Sequence, residues 1–243
     1  MNKICIKDLN FRYDDKVIFN NFNLTLNKGL TFLIGNNGSG KSTLFNILSH
    51  KLPCVRNILV DDTMDLSKNN KNILFLDMDY VNKLNGKINE ILDDKTIKYL
   101  DLNTYIDTDC GALPFCIKIK VCIGLIFVSN CDAIFIDDIL CWLSKNDRNK
   151  ILKKLKTVSK KKIILIITNN MEDTIFASRL ILLDKGNIIL DDKPIEFYKN
   201  EKVIKNFGIS FPFMVDLSLN LMLYNTVDDI YIDMEKLVDN IWK

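Results

Sequence analysis

The sequence predicts an α/β fold in which a buried sheet carries a glycine-rich loop. Residues 30–34 and 162–168 are almost wholly apolar, which indicates two strands covered on both faces. Residues 22–26 alternate between apolar and polar side chains, which is typical of a half-exposed strand. A chain of 243 residues is long enough to bury one full α/β core.

Composition narrows the class of protein. The formal net charge is +2, so no strongly charged partner such as nucleic acid is expected. The chain contains no apolar run of the roughly 18 residues that a membrane span needs, and residues 1–3 lead directly into a strand pattern rather than a signal segment. We therefore expect a cytosolic chain. Seven cysteines without a C-x-x-C pair and a single histidine, His50, argue against a zinc site or a histidine-based triad.

Antiparallel strands are predicted before the glycine-rich loop. Residues 4–11 and 22–26 read as strands on either side of a turn at Asp14 and Asp15. This order differs from that of a simple dinucleotide-binding domain, in which the first strand runs directly into the glycine turn.

The glycine-rich loop, residues 35–43, matches the phosphate-binding pattern G-x-x-x-x-G-K-[ST] in full. Its residues, all candidate phosphate ligands, are Gly35, Asn36, Asn37, Gly38, Ser39, Gly40, Lys41, Ser42 and Thr43. An apolar strand precedes the loop and helix-spaced apolar residues follow it, an order that directs backbone N–H groups and a helix N-terminus at phosphate. In this pattern Lys41 reaches the β- and γ-phosphates and the Ser42 hydroxyl binds Mg²⁺. A glycine turn that binds nothing would not require these flanks.

Further strands and one helix are predicted after the loop. Residues 57–60, 73–76 and 133–138 read as strands, and the last ends in Asp137 and Asp138. Doubly wound folds place their ligands at such strand ends. Beyond them we expect a helix over residues 171–179 and a hairpin made by residues 180–184 and 187–190.

These motifs together resemble the nucleotide-binding domain of ABC transporters, over essentially the whole chain. The resemblance implies a P-loop NTPase of the ABC ATPase type with an antiparallel β-subdomain, and ATP and Mg²⁺ as ligands. It implies that Tyr13 stacks on adenine, although an isolated aromatic residue on an edge strand usually serves packing. It also implies that Asp137 holds Mg²⁺ through water and that Asp138 orients the attacking water.

Several positions depart from the pattern of that family. The chain contains no glutamine, so the family's contact between a glutamine and Mg²⁺ cannot be made. Asp77 or Asp79 could supply an oxygen ligand in its place. The alternative is that both are solvated loop carboxylates. Asp138 stands where the family has glutamate, and Asn169 stands where it has a histidine that contacts the γ-phosphate. Both remain candidate catalytic residues, but an amide carries neither a proton nor a charge.

The family's signature LSGGQ is expected at residues 113–117, which read LPFCI. Pro114 has no N–H to offer, and the Phe115 ring would block close approach to a phosphate. We interpret the signature as lost and expect slow hydrolysis. The surrounding helical subdomain, about residues 87–126, is shorter than the family's.

The tail, residues 201–243, is predicted to be a helical extension of an ATP-binding domain over residues 1–200. Phe213, Leu217 and Leu221 recur as one apolar helix face. The tail resembles that of ATPases of energy-coupling factor (ECF) transporters, where it helps two ATPases dimerise; a helix packed on its own domain is the alternative. Because a homodimer would carry every departure twice, we expect a heterodimer with a second ABC ATPase.

The same resemblance implies a transmembrane transporter component as partner and a peripheral place on the cytoplasmic face of the membrane. Two alternatives stay open: a catalytically inactive nucleotide-binding partner of a heterodimeric ATPase, and the ATPase of another ABC importer or exporter. The transported solute is not predicted.

Overall fold

The structure is a computed structural model that describes residues 1–53, 58–62, 64–66 and 72–242. The strands of the described residues are β1 (Lys3–Tyr13), β2 (Lys16–Asn27), β3 (Gly29–Ile34), β4 (Ile58–Val60), β5 (Met64–Asp65), β6 (Ile73–Leu76), β7 (Ala133–Asp137), β8 (Ile163–Ile167), β9 (Arg179–Asp184) and β10 (Asn187–Asp192). The α-helices are α1 (Lys41–Leu48), α2 (Met78–Lys83), α3 (Ile88–Ile91), α4 (Asp94–Tyr99), α5 (Phe115–Val128), α6 (Lys145–Val158), α7 (Pro194–Lys199), α8 (Glu201–Asn206), α9 (Phe213–Leu223) and α10 (Met234–Ile241).

Two sheets organise the molecule. The larger has the order β10-β9-β3-β8-β7-β6, with β10 antiparallel to β9 and the other neighbouring strands parallel. The smaller sheet, β2-β1-β4-β5, is antiparallel. This arrangement confirms the predicted α/β fold with an antiparallel sheet ahead of the loop. In the described part of the chain, no helix is both long and apolar enough to cross a membrane.

The central sheet is covered on both faces, as its apolar strands predict. Successive residues of β3 point to opposite sides, so Phe32 belongs to one buried cluster and Leu33 to the other. The first cluster takes in α5, and the second takes in α1 and the antiparallel sheet.

The carboxyl ends of three parallel strands meet at one edge of the large sheet. In the registers of the sheet, Leu33 of β3 and Asp137 of β7 both lie opposite Ile167 of β8. The glycine-rich loop leaves β3 at this edge, so the loop and the two strand-end carboxylates are brought together as the sequence predicts.

Two segments differ from expectation. The helix predicted over residues 171–179 was wrong, because a 3₁₀ turn covers only Met171–Phe176. The chain must leave the turn early to pair with β3, since the Ser178 N–H donates to the Leu30 carbonyl at 2.7 Å and β9 begins at Arg179. The strand predicted over residues 57–60 is present as β4, with Asn57 outside the described residues.

Helix α9 packs on its own domain through Val215 and Ser218, which lie outside the predicted apolar face of Phe213, Leu217 and Leu221. Val215 and Ser218 are buried, and the Ser218 hydroxyl accepts from the Tyr231 N–H at 3.0 Å. Phe213, which begins the predicted apolar face, is 62% exposed. The face that contacts the domain is therefore the one around Val215 and Ser218.

Candidate nucleotide-binding site

The glycine-rich loop has a backbone conformation that requires glycine. Gly35 has a φ of 150° and Gly40, the residue that caps α1, a φ of 111°. Both lie in the region that side chains disfavour. A Cβ on Gly35 would also lie 2.1 Å from the Leu183 carbonyl oxygen. The loop can therefore turn sharply from β3 into α1 only with these glycines in place.

The turn between β9 and β10 holds the loop from outside. The Gly186 N–H donates to the Ser39 carbonyl at 2.9 Å. A Cβ on Gly186 would meet the Ile18 carbonyl oxygen of β2 at 1.8 Å. The loop is thus wedged between an antiparallel strand and a hairpin, so its N–H groups are positioned before any ligand arrives.

Lys41 is the buried cation of the site. It is 7% exposed, and its Nζ donates to the carbonyls of Gly35 at 2.5 Å and Asn36 at 3.0 Å. Burial lowers the pKa of Lys41, while the charges of Asp138 and Asp137 act in the opposite direction. Its ammonium is therefore held by carbonyl oxygens of the glycine-rich loop.

Two carboxylates face this lysine from the end of β7. The pKa of Asp137 is raised to about 6, chiefly by burial, although the Ser42 hydroxyl that donates to it lowers the value. Burial also raises the pKa of Asp138, against the Lys41 charge and a backbone N–H donated by Asn169. Asp138 adopts a left-handed φ of 50°, a conformation that aspartate tolerates better than most residues. The site concentrates negative charge that a cation would relieve.

The pair of Ser42 and Asp137 fits Mg²⁺. A hydroxyl and a half-buried carboxylate in direct contact are the hard oxygen ligands this ion prefers. No group of three His, Cys, Asp or Glu residues suited to a metal occurs in the described part of the chain. A small set of protein oxygens completed by phosphate oxygens is how Mg²⁺ is usually held in nucleotide sites.

A cleft of about 410 Å³ opens beside the loop. Predicted site residues that line it are Tyr13, Asn37, Gly38, Gly40, Lys41, Ser42, Thr43, Asp137, Asp138 and Asn169. Tyr13 is 43% exposed and meets the Phe11 ring edge-on at 4.9 Å, so one side of its ring is supported and the rest is accessible. Lys16, which the sequence analysis missed, also lines the cleft. Its pairing opposite Tyr13 across the β1–β2 hairpin is the signal that could have identified it.

A smaller cavity of about 270 Å³ adjoins the cleft. Asn37 and Asn169 line both spaces, and the Asn169 Nδ2 donates to the Asn37 Oδ1 at 3.3 Å. Gly35 and Asn36 line only the smaller cavity, whereas Ser39 is buried within the loop. Residues 208–210 of the tail also line this cavity, a contribution that sequence reasoning missed.

The carboxylates at the place of the missing glutamine are held by a lysine. Lys51 forms ion pairs with Asp77 and, at 2.7 Å, with Asp79. Asp77 also caps α2 by accepting the Tyr80 N–H at 2.9 Å. The Asp77 side chain is mostly buried, and its charge contributes to the raised pKa of Asp137. Asp77 is therefore not a merely solvated loop residue.

The segment expected to hold the signature is a helix start without glycine. Pro114 caps α5, and the Phe115 ring meets Trp142 edge-on at 5.4 Å. Phe115, the first residue of α5, thus lies against Trp142 of the turn after β7, at a position where a small residue would be needed for backbone contact with phosphate.

Comparisons with known proteins agree on one family. The ABC transporter family model matches residues 19–165. The energy-coupling factor transporter ATP-binding protein EcfA1 of Mycoplasma mobile is 27% identical, covering 98% of this chain and 96% of its own. The corresponding EcfA of Onion yellows phytoplasma is 25% identical, with coverages of 99% and 98%.

Solved structures show the same fold. CbiO1 from Clostridium perfringens, described as part of the ABC transporter complex cbiONQ, has a TM-score of 0.68 at 22% identity, covering 87% of this chain and 97% of its own. The ADP conformation of MJ1267, an ATP-binding cassette of an ABC transporter, has a TM-score of 0.70 at 18% identity, with coverages of 86% and 99%.

Proposed function

Since this chain belongs to the ABC transporter family, we propose that it is an ATP-binding subunit of an energy-coupling factor transporter. Relatives with that name align with nearly its whole length. The observation that carries the proposal is the convergence of Tyr13, Lys41 and Asp137 on one cleft beside a phosphate-binding loop.

The residues along the cleft match the successive parts of ATP, from the adenine to the terminal phosphate. The accessible part of the Tyr13 ring offers a stacking surface for adenine, worth about 1–3 kcal/mol by analogy with other base–aromatic contacts. The N–H groups of the loop and the N-terminus of α1 face the phosphates, and Lys41 supplies a positive charge. Ser42 and Asp137 would hold Mg²⁺, which neutralises charge on the β- and γ-phosphate oxygens when bound.

We further propose that hydrolysis is slow. Asp138 lies at the cleft and receives the Asn169 N–H, so its carboxylate can accept a hydrogen bond from an attacking water. Its side chain is one methylene shorter than glutamate, and a misplacement near 1 Å can cost about 10²-fold in rate. Asn169 stands where the family has histidine, and its amide cannot carry a proton or a charge.

The start of α5 favours a heterodimer in this proposal. Because Pro114 and Phe115 stand at the serine and the first glycine of the signature, this chain contributes poorly to a nucleotide bound on a partner subunit. A second ABC ATPase with an intact signature would complete the site of this chain. The pair would act on a transmembrane component at the cytoplasmic face of the membrane, where closure on ATP shifts the conformational equilibrium even when hydrolysis is slow.

Nucleotide binding is the first test. Wild type should bind Mg-ATP in equilibrium titration, and Lys41→Ala should weaken binding roughly 10- to 100-fold, because a charge-assisted hydrogen bond is worth about 1.5–3 kcal/mol. Lys153→Ala removes an exposed lysine of α6 and is the matched control. Absence of Mg-ATP binding by wild type would refute the proposal.

Turnover is measured on the chain co-purified with its partner ATPase, after the partner's own catalytic glutamate is disabled. Turnover that Lys41→Ala abolishes would identify a slow ATPase. Tight binding without turnover would instead identify a catalytically inactive nucleotide-holding partner, an alternative that Pro114 and Asn169 favour.

A further inference from the structure

One segment of the tail is bonded at both of its ends to the loops of the nucleotide site. Its first carbonyl, that of Phe207, accepts the Asn36 Nδ2 at 2.8 Å. Its last residue, Phe213, donates its N–H to the Glu172 Oε1 at 2.7 Å. Asn36 follows β3 and Glu172 follows β8. Residues 207–213 therefore connect the loop after β3 to the loop after β8.

The same segment forms a wall beside the end of the site where the γ-phosphate is expected. Gly208, Ile209 and Ser210 line the smaller cavity together with Asn37 and Asn169. These two asparagines also line the nucleotide cleft and are hydrogen-bonded to each other. The segment therefore shares a cavity with the two asparagines that also reach the nucleotide cleft.

A third contact fixes the segment to the turn that starts after Asn169. Phe211 is buried and packs against the Tyr198 ring at 6.4 Å. The Tyr198 hydroxyl is hydrogen-bonded to the Thr174 Oγ1 at 2.7 Å. Thr174 and Glu172 belong to the same 3₁₀ turn, so the segment is tied to this turn through both Phe211 and Phe213.

Resting on the proposed function, we propose that Glu172 is a positioning residue for the γ-phosphate end of the nucleotide site. Its carboxylate accepts the first N–H of α9, a charge-assisted bond at a helix N-terminus. By holding residues 207–213 against the loop, Glu172 keeps Asn36 and Asn169 in place. In the proposed binding mode the γ-phosphate of ATP would lie at this end of the site, and ADP would leave that position empty.

The test compares ATP and ADP affinities of the full chain by calorimetry with Mg²⁺ present. Glu172→Ala should weaken ATP binding about five-fold, in line with the loss of one hydrogen bond, and leave ADP binding within about two-fold. Glu172→Gln retains an oxygen acceptor and should restore most of the ATP affinity. Glu201→Ala breaks an ion pair with Lys205 in the same tail and should change neither affinity.

A second measurement uses wild type alone. Amide hydrogen exchange across residues 207–213 should slow with ATP and not with ADP. Equal weakening of both nucleotides by Glu172→Ala, no change in either, or exchange that ignores ATP would overturn the positioning role. Failure of wild type to bind ATP would overturn both this inference and the proposed function, so the two failures are distinguishable.

Discussion

Replacing Asp137 by asparagine should stabilise the protein in the absence of nucleotide and Mg²⁺. The pKa of Asp137 in the folded chain is about 6 against an ordinary value of 3.8, because burial disfavours its charge. A carboxyl whose pKa is raised by folding opposes folding when it is ionised. Asparagine removes the charge and keeps an oxygen that can accept the Ser42 hydroxyl.

The magnitude follows from the two pKa values. The difference of about two units corresponds to at most about 3 kcal/mol, at 1.36 kcal/mol per unit. Because Asp137 retains some contact with solvent, we expect about 1–2 kcal/mol. For a chain of this size that raises Tm by roughly 2–8 °C.

The pH dependence of the stability difference tests the sign of this effect. The destabilisation by Asp137 is fully present above pH 6 and disappears as pH falls from 6 to 3.8, so the advantage of Asp137→Asn should be roughly halved at pH 5. Thermal unfolding from pH 8 to pH 5 in a chelating buffer measures it. Asp228→Asn changes an exposed loop carboxylate and serves as the control.

Adding Mg-ATP should make wild type more stable than Asp137→Asn. Wild type should then gain more Tm than Asp137→Asn, because ligand binding stabilises only the folded state and the variant lacks a Mg²⁺ ligand. A variant that is less stable than wild type at pH 8, or an advantage that does not change with pH, would refute this account of the site.

Three further changes test other parts of the structure. Asp138→Glu should raise phosphate release by the assembled ATPase roughly ten- to a hundred-fold, because it restores the reach of the carboxylate; an unchanged rate would show that side-chain length is not limiting. Tyr198→Phe should lower the free energy of unfolding in urea by about 1–2 kcal/mol, because the buried hydrogen bond to Thr174 is lost; a neutral effect would contradict this. Exposed Cys116 should react rapidly with a thiol reagent, whereas Cys122, whose pKa burial raises to about 12, should react only on unfolding; modification of folded Cys122 would show that α5 opens locally.

The parts of the site that follow from local sequence patterns could be predicted. The loop was recognisable because glycine, lysine and serine at fixed spacing serve one backbone shape, and Gly35 and Gly40 do adopt positive φ. Asp137 and Asp138 were recognisable because an apolar run ends in two carboxylates. In both cases the reason lies within a few residues of the motif.

Contacts between distant segments could not be predicted. The hydrogen bond from Asn36 to Phe207 joins positions 171 residues apart. Lys51, which follows α1, pairs with two carboxylates that follow β6. The buried face of α9 was also missed. An apolar repeat shows that a helix has an apolar stripe, but not which of two faces meets the domain. Here the small Ser218 is buried while the larger Phe213 is exposed.

Gly186 has a consequence for how this fold can vary among descendants. Gly186 lies so close to the carbonyl of Ile18 that a methyl group has no room there. The Gly186 N–H donates to the Ser39 carbonyl of the loop. The shape of the loop therefore depends on a residue that lies well over a hundred positions after it and has no side chain. Any side chain at Gly186 would displace the hairpin from β2 and with it the N–H that supports Ser39, so the loop and this distant turn can change shape only together.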